Sequence, residues 1–179
     1  MKRLVYSLVI SGAVALAATG MTIAAPAGGK VQIFATQNSG AAGTILITGA
    51  IGDYGTTLSM DKNGKADPNG NFVMIKLHKG TFVVDSTALN AATNKEGPTT
   101  ESKTTCSFGF IGTGPPVTLS DGTGLYKGIS GSVNVTFNFG GYGPFFASGK
   151  HKGQCNMSNN AQPIVSKGWI TGVGTVSFR

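Results

Sequence analysis

The chain has 179 residues, 40% of them hydrophobic and 12% charged, which is enough length and apolar content for one domain with a sizeable core. Its formal charge is +7, but the lysines are scattered and arginine is nearly absent after residue 3. Nucleic-acid surfaces cluster basic residues and favour arginine for bidentate contacts, so this composition argues against a nucleic-acid partner.

The first stretch reads as a secretory signal. Lys2 and Arg3 form a positive head, Leu4 to Ala18 is an uncharged apolar or small run, and small residues follow through Ala24, Ala25 and Ala27. The apolar run is short for a membrane span of about 20 residues. Residues 1–27 are therefore expected to be a cleaved signal, and 28–179 a single exported domain without integral membrane association. Loss of Lys2 and Arg3 leaves 12 basic residues against 7 acids, a net charge of about +5.

Beyond the signal, the amphipathic period is that of strands. In 44–51, Ile45, Ile47 and Ile51 share a face. Asp53 follows as a carboxylate close to a strand pattern. The segment 61–70, DKNGKADPNG, offers Asp61, Asn63 and Asp67 as oxygen donors, but Ala66 stands where a calcium loop needs glycine and no glutamate closes it. Two turns account for it better, and no metal is expected. In 71–79, Val73, Ile75 and Leu77 oppose Met74, Lys76 and His78. The run 81–89 reads as one further strand, with Asp85 on the face of Val83 and Leu89. An inward carboxylate of this kind would be a candidate acid or base with a raised pKa, and Asp85 is the in-strand candidate for such a role, against the commoner alternative of a rim or exterior aspartate.

The polar run 91–102 reads as a long loop. Cys106, Phe108 and Phe110 align in 104–111, before the breaker GTGPP at 112–116. Cys106 and Cys155 lie 49 positions apart with neither a CxxC spacing nor a histidine beside them. In an exported chain an even cysteine count points to a disulfide rather than a metal pair or a catalytic thiol. In 132–139, Val133, Val135, Phe137 and Phe139 face one way and are the expected core. Ser132, Asn134, Thr136 and Asn138 face the other. Alternating segments at 145–155 and 168–178 complete the set. His78 and His151 are the two histidines, both on polar faces, and they form no HxH or HxxxH pair.

The segment 122–137, GTGLYKGISGSVNVTF, decides between a phosphate loop and a strand entry. Gly122, Gly124, Gly128 and Gly131 miss the G-x-G-x-x-G spacing, and a strand pattern follows where a phosphate site needs a helix N-terminus. The glycines instead suit a tight connection at a rim. With roughly eight strands and one domain, the chain is expected to be all-β, a closed antiparallel barrel or a sandwich; the single barrel is preferred because closure removes exposed strand edges.

The run from Gly122 to Gly131 resembles the G-T-G-x-aromatic-x-G-x-x-G segment of the allene oxide cyclase and dirigent barrel families, and residues 47–87 are similar to small exported bacterial proteins assigned that barrel. The resemblance implies an eight-stranded barrel with an apolar interior, association into a homo-oligomer as in plant members, and work without a cofactor. It carries over glycines but no catalytic residue. The expected role is to bind a small apolar ligand, or to act as an extracellular structural or interaction protein. A cofactor-free cyclase or isomerase is the alternative.

Overall fold

The structure is a computed structural model describing residues 27–37, 42–93, 95, 99–156, 158 and 161–179. The expected signal segment, apart from Ala27, lies outside the described residues. In chain order the elements are β1 (Gly29–Gln37), β2 (Ala42–Gly49), β3 (Asp53–Met60), β4 (Phe72–Leu77), β5 (Gly80–Asp85), the short helix α1 (Thr87–Thr93), β6 (Thr100–Ser102), β7 (Ser107–Thr113), β8 (Val117–Ser120), a 3-10 turn (Gly124–Tyr126), β9 (Ile129–Tyr142) and β10 (Val165–Phe178).

All ladders are antiparallel, and β10 pairs with both β1 and β9. That double pairing closes the sheet into a ring of β10, β1 to β5, β8 and β9, the eight-stranded barrel expected from the alternation. β10 covers one edge of β9 along its whole length, so β8 and β7 follow one another along the other edge. Gly114, Pro115 and Pro116 separate them. Proline lacks the donor a ladder needs, which interrupts the strand there. β8 then belongs to the ring through β5, whereas β7 carries β6 outward beyond the rim.

Register fixes which side chains enter the barrel, because a strand's side chains alternate between its two faces. Val31, Ile33 and Ala35 point in from β1, Ile45 and Ile47 from β2, Ile75 and Leu77 from β4, Phe82 from β5, and Val133 and Val135 from β9. All of these are buried. Phe137 is half-buried against them. Phe139 departs from the expectation: it has the inward parity but lies past the rim, 39% exposed and beside Phe108 at 5.8 Å between ring centroids.

Three other expectations are corrected. The run 81–89 is not one strand: β5 ends at Asp85 and α1 begins at Thr87, with Leu89 buried from the helix. Residues 145–155 form turns with an isolated Phe145–Cys155 bridge rather than a strand. The run 91–102 contains the end of α1 and all of β6. Cys106 and Cys155 are paired, with Cα atoms 5.3 Å apart, which ties the entry of β7 to the excursion between β9 and β10.

Val133 has no exposure, and its neighbour Asn134 faces solvent. Val133→Asp is expected to unfold the domain, since an unpaired buried charge costs several kcal/mol. Asn134→Asp should stay within about 0.5 kcal/mol of the parent. Urea melts of the two variants check the register; equal stability would show that it is wrong. Mass spectrometry of non-reduced, alkylated protein should find both cysteines protected. Replacing the pair by alanine should lower stability by about 4 kcal/mol in the chain-entropy account, and free labelling of both thiols would refute the pairing.

Candidate functional site

The barrel interior is not filled. A cavity of about 320 Å³ occupies the half bounded by the β3–β4 connection, the end of β5 and α1. This is at the small end of the range for small-molecule sites, about 300–1,000 Å³. Its apolar wall includes Ile33, Ile45, Val73, Ile75, Val84, Val117, Leu119, Val133, Val135, Phe137 and Ile170. Its polar groups are neutral: Thr36, Thr57, Ser59, Asn69, Asn71, Ser86 and Asn90. Among the described lining residues none is ionisable.

The polar groups gather where β4 and β5 leave the barrel. Ser86 N donates to Asn71 O at 2.9 Å, one step beyond the Phe72–Asp85 pair, so both side chains keep the inward parity of Val73 and Val84. Ser86 Oγ also donates to Asn71 O at 2.8 Å. Asn90, one turn into α1, donates from Nδ2 to Asn71 Oδ1 at 2.9 Å and to Ser86 Oγ at 3.4 Å. Ser86 is one of two buried polar residues among those described, and these bonds satisfy it.

Asp85 does not enter the cavity. Phe82 and Val84 take the inward side of β5, which places Val83 and Asp85 on the other. Asp85 Oδ1 instead accepts from Thr87 N at 2.8 Å, fixing the entry to α1. The acid or base assignment to Asp85 therefore lacks a place in this cavity. The misreading follows from two adjacent valines: either could have been the inward one, and counting Leu89 as part of the strand selected the wrong parity.

Asp53, the buried carboxylate among the described residues, sits at the opposite, closed end. Tyr126 Oη donates to Asp53 Oδ2 at 2.6 Å, Lys79 N to the same oxygen at 3.1 Å, and Tyr54 N to Oδ1 at 2.8 Å. His78 Nδ1 lies 3.3 Å from Oδ1 and 2.9 Å from Tyr54 O. Burial pushes the Asp53 carboxyl up, but the bonds from Tyr126, Tyr54, Lys79 and His78 outweigh it and hold the carboxyl below its ordinary value. Burial and then the Asp53 carboxylate push the Tyr126 phenol well up.

Tyr126 comes from the glycine segment, which here has a structural task. Thr123 N donates to Thr81 O at 2.8 Å and Leu125 N to Lys79 O at 2.9 Å, folding the segment across the end of β5. Gly124 and Gly128 have φ of 58° and 74°, a left-handed conformation that side-chain-bearing residues rarely adopt. A Cβ at Gly122, Gly124, Gly128 or Gly131 would overlap backbone carbonyls of Tyr126, Lys79, Arg179 or Thr175. The tight packing lets Tyr126, with no exposure, plug the barrel end edge-on to Phe82.

Outside the barrel, Phe34, Leu46, Tyr54 and Trp169 line an open apolar trough across β10, β1, β2 and β3, with His78 against Tyr54 at 4.2 Å between ring centroids. His151 is exposed and bonded to Gln154. Asp61 and Asp67 accept from the backbone of Asn63, Lys65 and Asn69, the turn role expected of them. Among the described residues no three His, Cys, Asp or Glu side chains converge as a metal site, and no helix is long and apolar enough to cross a membrane. Protein-family models, curated proteins and solved structures were compared with this chain, and none matches.

The Asp53 network sets a pH dependence. With its folded pKa below the unfolded one, Asp53 contributes stability that is present above the ordinary carboxylate pKa near 4 and is lost as pH falls through the folded value. Asp53→Asn should therefore flatten the acid limb of a stability profile; an unchanged limb would contradict the linkage. Tyr126→Phe removes one donor from a buried carboxylate and is expected to cost about 1–3 kcal/mol in a urea melt at neutral pH.

Proposed function

We propose that the chain is an exported binding barrel that takes a small apolar molecule into its interior and does not act on it chemically. The observation that carries this reading is the lining itself: about 320 Å³ of space walled by aliphatic and phenyl groups, with neutral hydroxyls and amides and no ionisable side chain among the described residues. Burial of an apolar ligand there gains about 25 cal/mol per Å². Proton transfer needs a titratable group within hydrogen-bond reach of the reacting atom. Asp85 faces away, and Asp53 is engaged by four partners at the closed end.

Export rests on the signal-like segment 1–27, and the Cys106–Cys155 pair suits an oxidising compartment. The likeness of 122–131 to the allene oxide cyclase and dirigent barrels supports the same reading of a hollow barrel. The cyclase alternative stays attached to that likeness.

Titration with a fluorescent apolar probe tests the proposal. Saturable one-to-one uptake is expected, and Val84→Trp, which fills the cavity from β5, should weaken it at least tenfold with the circular dichroism spectrum retained. Absent uptake, or uptake indifferent to Val84→Trp, would overturn the binding role. Enantioselective cyclisation of a freshly generated allene oxide would promote the enzyme instead.

A further inference from the structure

The interior columns of three adjacent strands change character in the same direction. From the closed end outward, β4 presents Leu77, Ile75, Val73 and then Asn71; β5 presents Phe82, Val84 and then Ser86. β3 follows with Thr57 and Ser59, and Asn90 of α1 completes the cluster. The cavity therefore has an apolar depth and a single polar pole.

The hydrogen bonds within that pole fix what it offers. Asn90 uses its Nδ2 on Asn71 Oδ1 and Ser86 Oγ, and Ser86 Oγ donates to a backbone carbonyl. Asn71 Oδ1 is thus occupied, which leaves Asn71 Nδ2 as donor and Asn90 Oδ1 as acceptor without partners among the described residues. The two amides hold each other in orientation, so a donor and an acceptor are presented side by side at a preset spacing. Such preorganisation lowers the ordering cost of binding.

Resting on the reading of the cavity as a ligand site, we infer that it selects an uncharged amphiphile: an apolar body with a head that both donates and accepts a hydrogen bond, a hydroxyl or a carboxamide. The body lies against Val73, Ile75 and Val133, and the head meets Asn71 and Asn90. Asn71 is exposed and Asn90 half-buried, so the head sits at the mouth. A carboxylate or ammonium there meets no opposite charge among the described lining residues and loses part of its hydration as the body seats, whereas a hydroxyl or carboxamide is received by both amides. A bare hydrocarbon would displace water from Asn71 and Asn90 and return no hydrogen bonds.

Matched straight-chain ligands that differ only in the head test this by displacement of the fluorescent probe. The alkanol and the alkanamide should bind at least tenfold more tightly than the alkanoate at pH 8 and the alkylammonium at pH 7. In the double variant Asn71→Leu, Asn90→Leu the probe should still bind, and the alkanol and alkanamide should lose their advantage over the unsubstituted alkane. Asn71→Asp, a smaller change that spares the helix, should shift preference toward the alkylammonium. Equal or tighter binding of the alkanoate to the parent protein, or an alkanol and alkanamide advantage over the alkane that survives the double variant, overturns the head-group inference while leaving the cavity a binding site. Failure of the probe itself to bind overturns the binding role as well.

Discussion

The pairing of β9 with β10 is the constraint on which the rest depends. Each strand is 14 residues long, and they pair from Ile129–Phe178 to Tyr142–Val165. Because β10 also pairs with β1, this ladder turns an open sheet into a ring, and only in a ring do the odd positions of β1, β2, β4 and β9 meet as one interior. The ladder also overruns the ring. Its outer half has no barrel to close, so β7 and β6 cover one edge of it and the Cys106–Cys155 pair fastens the excursion beyond. That is why the same alternating strand has a buried Val133 at one end and an exposed Phe139 at the other.

Closure leaves two ends to be dealt with, and the chain treats them differently. At one, the glycine segment packs backbone against backbone and drives Tyr126 into Asp53, joining residues 73 positions apart. A buried phenol and a buried carboxylate satisfy one another, and the carboxylate takes two further backbone donors. At the other end α1 and the β3–β4 connection border the opening without filling it. The buried Asp53–Tyr126 network thus lies at the end away from the cavity, where a ligand need not disturb it.

The alternation of β2 and β9 was legible because most of their inward residues are aliphatic or aromatic and their outward ones largely polar. β3 was not, and the reason is physical: its inward side chains are Asp53, Thr57 and Ser59, while Tyr54 and Leu58 occupy its other face. A rule that sends apolar residues inward reads such a strand backwards. β5 failed for a lesser reason, the ambiguity of Val83 and Val84. The glycine spacing pointed to a tight connection into a strand, which the turn Gly124–Tyr126 and β9 form, but its partner could not be seen, since nothing local links Tyr126 to Asp53. The pole of the cavity was equally hidden: Asn71 and Ser86 sit just outside β4 and β5 and Asn90 within a short helix, where polar residues are ordinary, and the β4–β5 ladder with the first turn of α1 brings them together.

An eight-stranded barrel is just wide enough for side chains to fill, so an unfilled one requires small residues at inward positions. Here they are Ala35 at the end of β1, Thr57 and Ser59 on β3, and Ser86 past β5, all of them in the cavity wall and all on its polar side or beside it. Larger aliphatic groups at the same four places would pack the interior and gain apolar burial. The chain forgoes that gain at the positions where it also sets neutral hydrogen-bonding groups. The void and its polarity thus share one origin. Small hydroxyl and methyl side chains make the room, and the Asn71–Asn90 pair, linked to Ser86, gives that room a direction for whatever enters it.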